Sequence, residues 1–315
     1  MNVLVTGATG FIGRALCRRL AASQATVIAA VRDPERAAAL LPPGTVTIRW
    51  NLDSPDDLPW DEMGDLDVCY HLAWKGTGRS ERMDPGVQTG NACAALKLIR
   101  ALGEHGCGRF VFAGSQAEYG VTLQKMEAGE CGDGVITEDT VCDPVSEYGK
   151  AKLSVLENGA PLAESYAMTY IHARIFSIYG PGDHGQALIP SCMSAFAGRR
   201  HISLTSCRQK WNFLYIDDAA DMLGALGTCA FTVSEETGYG DRVVDIASSC
   251  SRILREYVEE IMDLYPGCSA DFDRTETPAE GTPWLDTRAE RITALTGLRE
   301  MTDFRDRIRE IAQKG

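Results

Sequence analysis

The sequence predicts an α/β fold, a doubly wound parallel sheet carrying a smaller α+β C-terminal lobe. Three observations lead there. Apolar, strand-like runs alternate with helical periodicity through the first 176 residues. The first run, Val3-Leu4-Val5-Thr6, feeds into three glycines spaced three apart, Gly7, Gly10 and Gly13, and an amphipathic helix starts at Phe11. Beyond about Gly180 this rhythm gives way to shorter elements. Apolar strands separated by helical segments are the pattern of a parallel sheet covered on both faces.

A second strand is expected at 26–31, a helix at 34–41 and a third strand at 45–50. A fourth strand follows at 67–73. Residues 87–104 are helical by the spacing of Ala92, Ala95, Leu96, Ile99 and Leu102. The fifth strand lies at 109–113 and the sixth at 169–176. Between them, residues 120–143 carry four glycines and six acids and read as a long surface loop, either a lid or a solvated insertion. In the second half, short strands are expected at 201–205, 212–216 and 243–247, and helices at 217–230, 253–264, 287–295 and 304–312. Residues 1–176 are expected to form a dinucleotide-binding domain to which about 209–232 return, with 177–315 mainly a substrate lobe.

Composition bounds the function. A chain of 315 residues with 44% hydrophobic and 24% charged side chains is of ordinary globular type. No run of eighteen apolar residues is present, and Met1 leads directly into a core strand, so a cytoplasmic protein without signal peptide or membrane span is expected. Eleven cysteines are scattered without a C-x-x-C pair, which predicts reduced packing residues and no metal site. A net charge of −13 disfavours nucleic acid and anionic membranes as partners. Anionic ligands must then be held by helix N-termini and a few placed cations.

The glycine turn is such a place. Gly7 permits the tight turn, Gly10 lets the backbone approach a pyrophosphate, and Gly13 lets the helix pack on the strand. The free N–H groups and dipole of the helix start favour a diphosphate. Thr9, Phe11 and Ile12 complete this element. Ligands of such sheets bind outside the carboxyl ends of the strands, where Asn51, Leu52, Leu72, Ala73 and Phe176 are expected to line the cofactor site. The second strand ends Val31-Arg32-Asp33-Pro34. An acid at the tip favours NAD and an arginine favours NADP. Arg32 comes first, so NADP is expected, with NAD as second choice.

Tyr148 and Lys152 are four apart and share a helix face, whereas Lys150 points elsewhere. An ammonium beside a phenol stabilises the phenolate, which predicts a lowered Tyr148 pKa and a usable proton donor and acceptor. Ser115, at the end of the fifth strand, is placed to hydrogen-bond a substrate oxygen. Trp74, after the fourth strand, is expected either to overhang the substrate or to pack between the lobes, and Lys75 or Arg79 to meet a phosphate.

With these residues in view, the chain resembles the extended short-chain dehydrogenase/reductases, the NAD(P)-dependent nucleotide-sugar epimerases, dehydratases and ketoreductases. Thr6–Gly13 resembles the family's cofactor turn, His71-Leu-Ala73 its fourth-strand motif, and Asn91 its structural asparagine. Ser115, Tyr148 and Lys152 match its catalytic set. Arg174-Ile-Phe-Ser-Ile-Tyr-Gly-Pro181 and Tyr215-Ile-Asp-Asp218 match two later motifs. The resemblance implies a Rossmann fold and hydride transfer between nicotinamide and a sugar carbon. In it Tyr148 moves the proton, Lys152 holds the nicotinamide ribose, and Ser115 bonds the reacting oxygen. It leaves room for a homodimer.

Departures from the pattern narrow the reaction. Gln116 and Ala117 stand where 4,6-dehydratases carry Asp-Glu, which disfavours dehydration and leaves Gln116 to face substrate. Ser177 replaces a substrate-binding asparagine. Trp211-Asn212 replaces Arg-Asp, so the diphosphate falls to Arg208, Lys210 or Arg199. The expected activity is NADP(H)-dependent reduction of a nucleotide-activated 4-keto-6-deoxy sugar. An NDP-sugar epimerase with tightly bound NAD, and a small-carbonyl reductase whose substrate has no nucleotide, stay open.

Overall fold

The six apolar runs become β1 (Asn2–Thr6), β2 (Thr26–Val31), β3 (Val46–Arg49), β4 (Val68–His71), β5 (Arg109–Ser115) and β6 (Thr169–Ile175). The computed structural model describes every residue except Arg79, 232–239, 276–277, Thr302 and Gly315. All six strands pair in parallel, and β7 (Val243–Ile246) adds beyond β6, giving the order 3-2-1-4-5-6-7. The strand at 243–247 thus belongs to the central sheet, with Asp245 opposite Arg174. The direction of winding reverses between β1 and β4, which opens a crevice at their carboxyl ends.

Alternation along each strand supplies both faces of the sheet. Val3 and Val5 face one core, with α1 (Phe11–Ala22) and the helix Ile216–Leu226 packed over it. Leu4, Ile28, Phe110, Phe112 and Tyr170 face the other, under α2 (Pro85–Glu104) and α3 (Glu147–Glu164). Each fully buried large apolar side chain contributes about 1.5–3 kcal/mol. Asp84 caps α2, accepting from the N–H groups of Gly86 (2.9 Å) and Val87 (3.1 Å), with Pro85 opening the helix.

Several elements differ from their sequence expectation. The helix expected at 34–41 ends at Ala38, because Pro42 and Pro43 follow and a residue before proline is pushed out of the helical region. The helix expected at 217–230 covers Ile216–Leu226. Residue 232, the end of the segment expected to rejoin the sheet, lies outside the described residues. An additional helix, Leu188–Ala197, packs with Leu254–Met262 and Phe304 around Tyr179, Phe213 and Tyr257 in the C-terminal lobe.

The segment 120–143 carries a short helix, Leu123–Glu127, and a strand, Val135–Ile136, that pairs with Asp286–Thr287. The Leu123 N–H donates to Thr282 O (2.8 Å), the Trp284 N–H to Val121 O (3.0 Å), and the Trp284 indole to Gly134 O (3.1 Å). Its ends are pinned together. Gly120 has φ +65°, and a Cβ there would lie 1.8 Å from Asp143 O. This segment and residues 278–287 form one roof beside the crevice. Among the described residues, no helix is long and apolar enough to cross a membrane, and no cluster of ligating side chains could hold a metal ion. All eleven cysteines are free thiols.

Candidate active site

Backbone builds the cofactor end. Gly7 sits at φ +69°, and a Cβ there would come within 2.7 Å of Ala73 N and 2.8 Å of Leu72 C. A Cβ on Gly13 would lie 2.2 Å from Gly7 O, so only glycine lets α1 press onto the turn. A Cβ on Gly10 would touch only Gly7 O, at 3.2 Å, and otherwise point into open space. No side chain caps α1, whose N-cap is Gly10, and Thr9 and Gly10 are exposed while Phe11 and Ile12 are half-buried. An uncapped helix start over an open, glycine-bounded turn fits a dinucleotide diphosphate. Thr6 Oγ1 ties β1 to the tip of β4, bonding His71 Nδ1 (2.8 Å) and accepting from the Ala73 N–H (3.2 Å). Burial, reinforced by Lys152, pushes the His71 pKa down to about 3, so the ring is neutral.

Arg32 and Asp33 have separate roles at the tip of β2. The Asp33 carboxylate caps the following helix, accepting from the Arg36 N–H (3.1 Å). Arg32 is exposed, and the neighbouring Arg49 guanidinium donates to Arg32 O (3.0 Å). Two arginines therefore stand side by side at the ends of β2 and β3. Asn51 is exposed at the end of β3 and Leu52 is buried. Asn91 fastens the loop after β4, accepting from the Lys75 N–H (3.0 Å) and donating to Lys75 O (2.8 Å). The Lys75 ammonium pairs with Asp53. Arg79 lies outside the described residues.

At the catalytic end, Ser146 caps α3 through the Gly149 N–H (3.1 Å). A Cβ on Gly149 would lie 2.5 Å from Ala117 O, so glycine lets the first turn of α3 press against the Ser115 turn. Tyr148 and Ser115 come together there, near enough for the serine to bear on the phenol's titration. Burial pushes the Tyr148 phenol above the ordinary tyrosine value, opposed by Arg82 and by Ser115. This differs from the lowering expected of Lys152. The Lys152 ammonium lies 5.7 Å from the Tyr148 ring centroid, donates to Ala113 O (2.6 Å) and sits 3.7 Å over the Trp74 ring. Burial pushes its own pKa down to about 7, with Glu118 opposing and Arg82 adding. Lys150 points outward onto Glu147 (2.7 Å). Trp74 packs edge-on to Tyr148 and Phe112, and its indole donates to Gln88 Oε1 (2.8 Å).

Below Ser115 lies a buried charge network. Glu118 accepts from the Ser115 N–H (2.7 Å), His172 Nε2 (2.9 Å) and Arg174 Nε (2.8 Å). Burial alone would raise its pKa, but these partners overcome that and hold the carboxyl well below the glutamate range. Burial also lowers the His172 pKa, so at neutral pH the imidazole is a neutral donor and Arg174 is the balancing cation. Asp245 accepts from the Tyr119 hydroxyl (2.7 Å), and burial followed by Glu138 pushes its pKa up to about 8. Phe176 is buried against Tyr119, and its N–H donates to Ile246 O (3.1 Å).

The substrate candidates are more dispersed. Gln116 lines a cavity of about 20 Å³ with Arg82, Glu280, Thr122 and Ser146. Ser177 opens a short strand paired with Phe213–Tyr215. Arg208 is exposed and held by Glu127 (3.1 Å). Arg199 is exposed with φ +52°. Trp211 packs against Phe213, and its buried indole N–H has no partner. Asn212 latches the 248–251 loop, bonding the Ser248 backbone (2.8 and 2.9 Å) and Ser251 Oγ (3.0 Å). Arg82 and Glu280 were not anticipated from sequence. Arg82 belongs to no motif, and Glu280 reaches it only through the roof.

Fold and site together define an NAD(P)-dependent enzyme of the extended short-chain dehydrogenase/reductase type. Residues 3–230 match the NAD dependent epimerase/dehydratase family, and the chain belongs to it. It is 26% identical over 249 residues to the uncharacterized UDP-glucose epimerase YtcB of Bacillus subtilis (strain 168), covering 72% of each chain. It is 24% identical over 287 residues to dTDP-6-deoxy-L-talose 4-dehydrogenase (NAD(P)(+)) of Kitasatospora kifunensis, covering 89% of this chain and 84% of that one. Among solved structures it resembles UDP-glucuronic acid 4-epimerase from Bacillus cereus in complex with UDP-glucuronic acid and NAD. That match has a TM-score of 0.78 and 20% identity, covering 100% of this chain and 99% of the other.

Proposed function

We propose that the protein reduces the keto group of a nucleotide-activated 4-keto-6-deoxy sugar with NADPH, Tyr148 donating the proton. The observation that carries this reading is the half-buried Tyr148 phenol, which desolvation holds in its protonated form, on the first turn of α3 where Gly149 packs against the Ser115 turn. Reduction of a ketone leaves an alkoxide that needs a proton, and a neutral phenol is the competent donor. The dinucleotide supplies the hydride when bound. Ser115 would hydrogen-bond the reacting oxygen beside the phenol, Lys152 would hold the nicotinamide ribose, and Trp74 walls the site. Glu118, buried and engaged by Arg174, His172 and the Ser115 N–H, is committed to this charge network and is a poor candidate for the base of a dehydration step.

The cofactor choice rests on Arg32 standing free while Asp33 caps a helix, because a guanidinium suits a 2′-phosphate. The likeness to a 6-deoxy-talose 4-dehydrogenase that uses NAD(P)+ supports the substrate class. Arg208 and Lys210 take the diphosphate, which displaces the exposed Glu127 from Arg208 at little cost. The likeness to YtcB favours a second reading, an NDP-sugar epimerase that retains NAD. The test is to analyse the nucleotide released from purified protein and to follow NADPH oxidation with dTDP-4-keto-6-deoxyglucose. The reductase reading expects no retained nucleotide and NADPH consumption on adding sugar. Retained NAD+ with interconversion of UDP-hexoses, and no NADPH oxidation, overturns it in favour of the epimerase.

A further inference from the structure

Arg82 follows β4 on the turn Glu81–Met83, just before the cap of α2. Its guanidinium carbon lies 4.2 Å from the centroid of the Tyr148 ring, nearer than the Lys152 ammonium at 5.7 Å. Glu280, on the roof, grips it with both oxygens: Nε lies 3.0 Å from Oε1 and 3.2 Å from Oε2, and Nη2 lies 3.1 Å from Oε2. The two side chains are only 19% and 21% exposed, so solvent screens them weakly. We propose that Arg82 is a positioning residue acting through Tyr148: its guanidinium, clamped by Glu280, tunes how firmly the phenol holds its proton. This rests on the reading of Tyr148 as the proton donor and names a charge pair that adjusts the form burial favours.

The groups facing Tyr148 leave few other candidates. Its own helix contributes Lys152, whose ammonium is turned to Ala113 O and Trp74. The turn after β5 contributes the Ser115 hydroxyl and Glu118, and Glu118 is balanced by Arg174. Trp74 carries no charge. Glu147 and Lys150 pair with each other at the surface. Arg82 and Glu280 remain as the pair whose charges bear on the ring from the substrate side. A bare guanidinium there stabilises the phenolate and favours taking a proton from an alcohol. A clamped one leaves the phenol neutral and favours giving a proton to an alkoxide. The pair therefore biases the site toward reduction.

The experiment needs no substrate. Full-length, cofactor-free protein carrying 13Cζ-tyrosine is titrated by NMR, with the Tyr148 resonance assigned by its loss in Tyr148→Phe. In wild type that resonance stays protonated beyond the ordinary tyrosine range. Glu280→Gln leaves Arg82 uncancelled and is expected to lower the midpoint by about one pH unit or more. Arg82→Gln is expected to raise it, Arg82→Lys to return it toward wild type, and the double Arg82→Gln/Glu280→Gln variant to lie between the two singles. Both conservative variants keep side-chain volume, so the comparison survives if Arg82→Gln fails to fold. Midpoints that move in the same direction in both single variants, or in neither, overturn the proposal. Opposite shifts in a protein that fails to oxidise NADPH with any nucleotide sugar tested uphold the charge pair and reject the reductase reading instead.

Discussion

The two ends of the crevice are made of different material. At the cofactor end the shape is backbone: Gly7, Gly10 and Gly13 leave out side chains, and α1 presents uncapped N–H groups. At the catalytic end the shape is side chains brought from distant segments. Ser115 and Tyr148 come from β5 and α3, Arg82 from the turn after β4, and Glu280 from the roof, 198 residues from Arg82 in sequence. The first end leaves little room for side chains at Gly7 and Gly13. The second can be altered one side chain at a time, and on the proposed function it would set specificity.

If this contrast is right, variants at the catalytic end should cost rate and those at the cofactor end should cost binding. Tyr148→Phe is expected to lower turnover by about 10²–10⁴-fold with cofactor affinity nearly unchanged. Single-turnover rates beside a cofactor titration check this, and turnover within threefold of wild type removes Tyr148 from the mechanism.

Glu118→Gln tests the foundation of the same end. It leaves Arg174 buried without its carboxylate, a loss of about 3–5 kcal/mol read from urea unfolding at pH 7. Glu118 has a depressed pKa when folded, so its contribution is present above the ordinary value of 4.5 and is lost as pH falls below it. The variant should lack that acid limb. A pH–stability curve that keeps it would assign the limb elsewhere.

At the other end, Gly13→Ala forces a Cβ to 2.2 Å from Gly7 O. A cost of about 1–3 kcal/mol, together with weakened binding of both NADH and NADPH, is expected by thermal shift and calorimetry. Loss of stability without loss of binding would break the contrast. Arg32→Ala sharpens it, since NADPH binding should weaken about tenfold or more while NADH changes little. Equal effects would return the cofactor choice to open ground. The smallest effect is expected for Arg208→Ala. It should weaken an NDP-sugar modestly at low salt and hardly at all at high salt, because the residue is exposed. Salt-independent weakening would place Arg208 in a buried contact.

What the sequence revealed follows the same division. The glycine turn, Ser115, Tyr148 and Lys152 are legible because each is a local spacing on one strand or one helix. The first six strands are legible because buried parallel strands are continuous apolar runs. The seventh reads only as a short strand, since nothing local says that Val243–Ile246 joins the edge of β6. The helix Leu188–Ala197 was not anticipated. It is apolar on most sides and carries Pro190, so it shows little 3.6-residue rhythm. The Tyr148–Lys152 spacing correctly places the two on one helix, but helical spacing says nothing about where a flexible four-carbon stem sends its ammonium. Glu280 has no sequence signature near Arg82, because a tertiary contact alone joins them.

The resting place of the Lys152 ammonium, 3.7 Å over the Trp74 indole, also makes Trp74 an optical gauge of the site. An ammonium this close perturbs the excited state of an indole, and anything that draws Lys152 off the ring relieves the perturbation. Five tryptophans contribute to the emission, but the difference between wild type and Trp74→Phe isolates this one. Its intensity on mixing with NADP+ or NAD+, which do not absorb in the indole emission band, is expected to change as Lys152 leaves the ring, before any chemistry occurs.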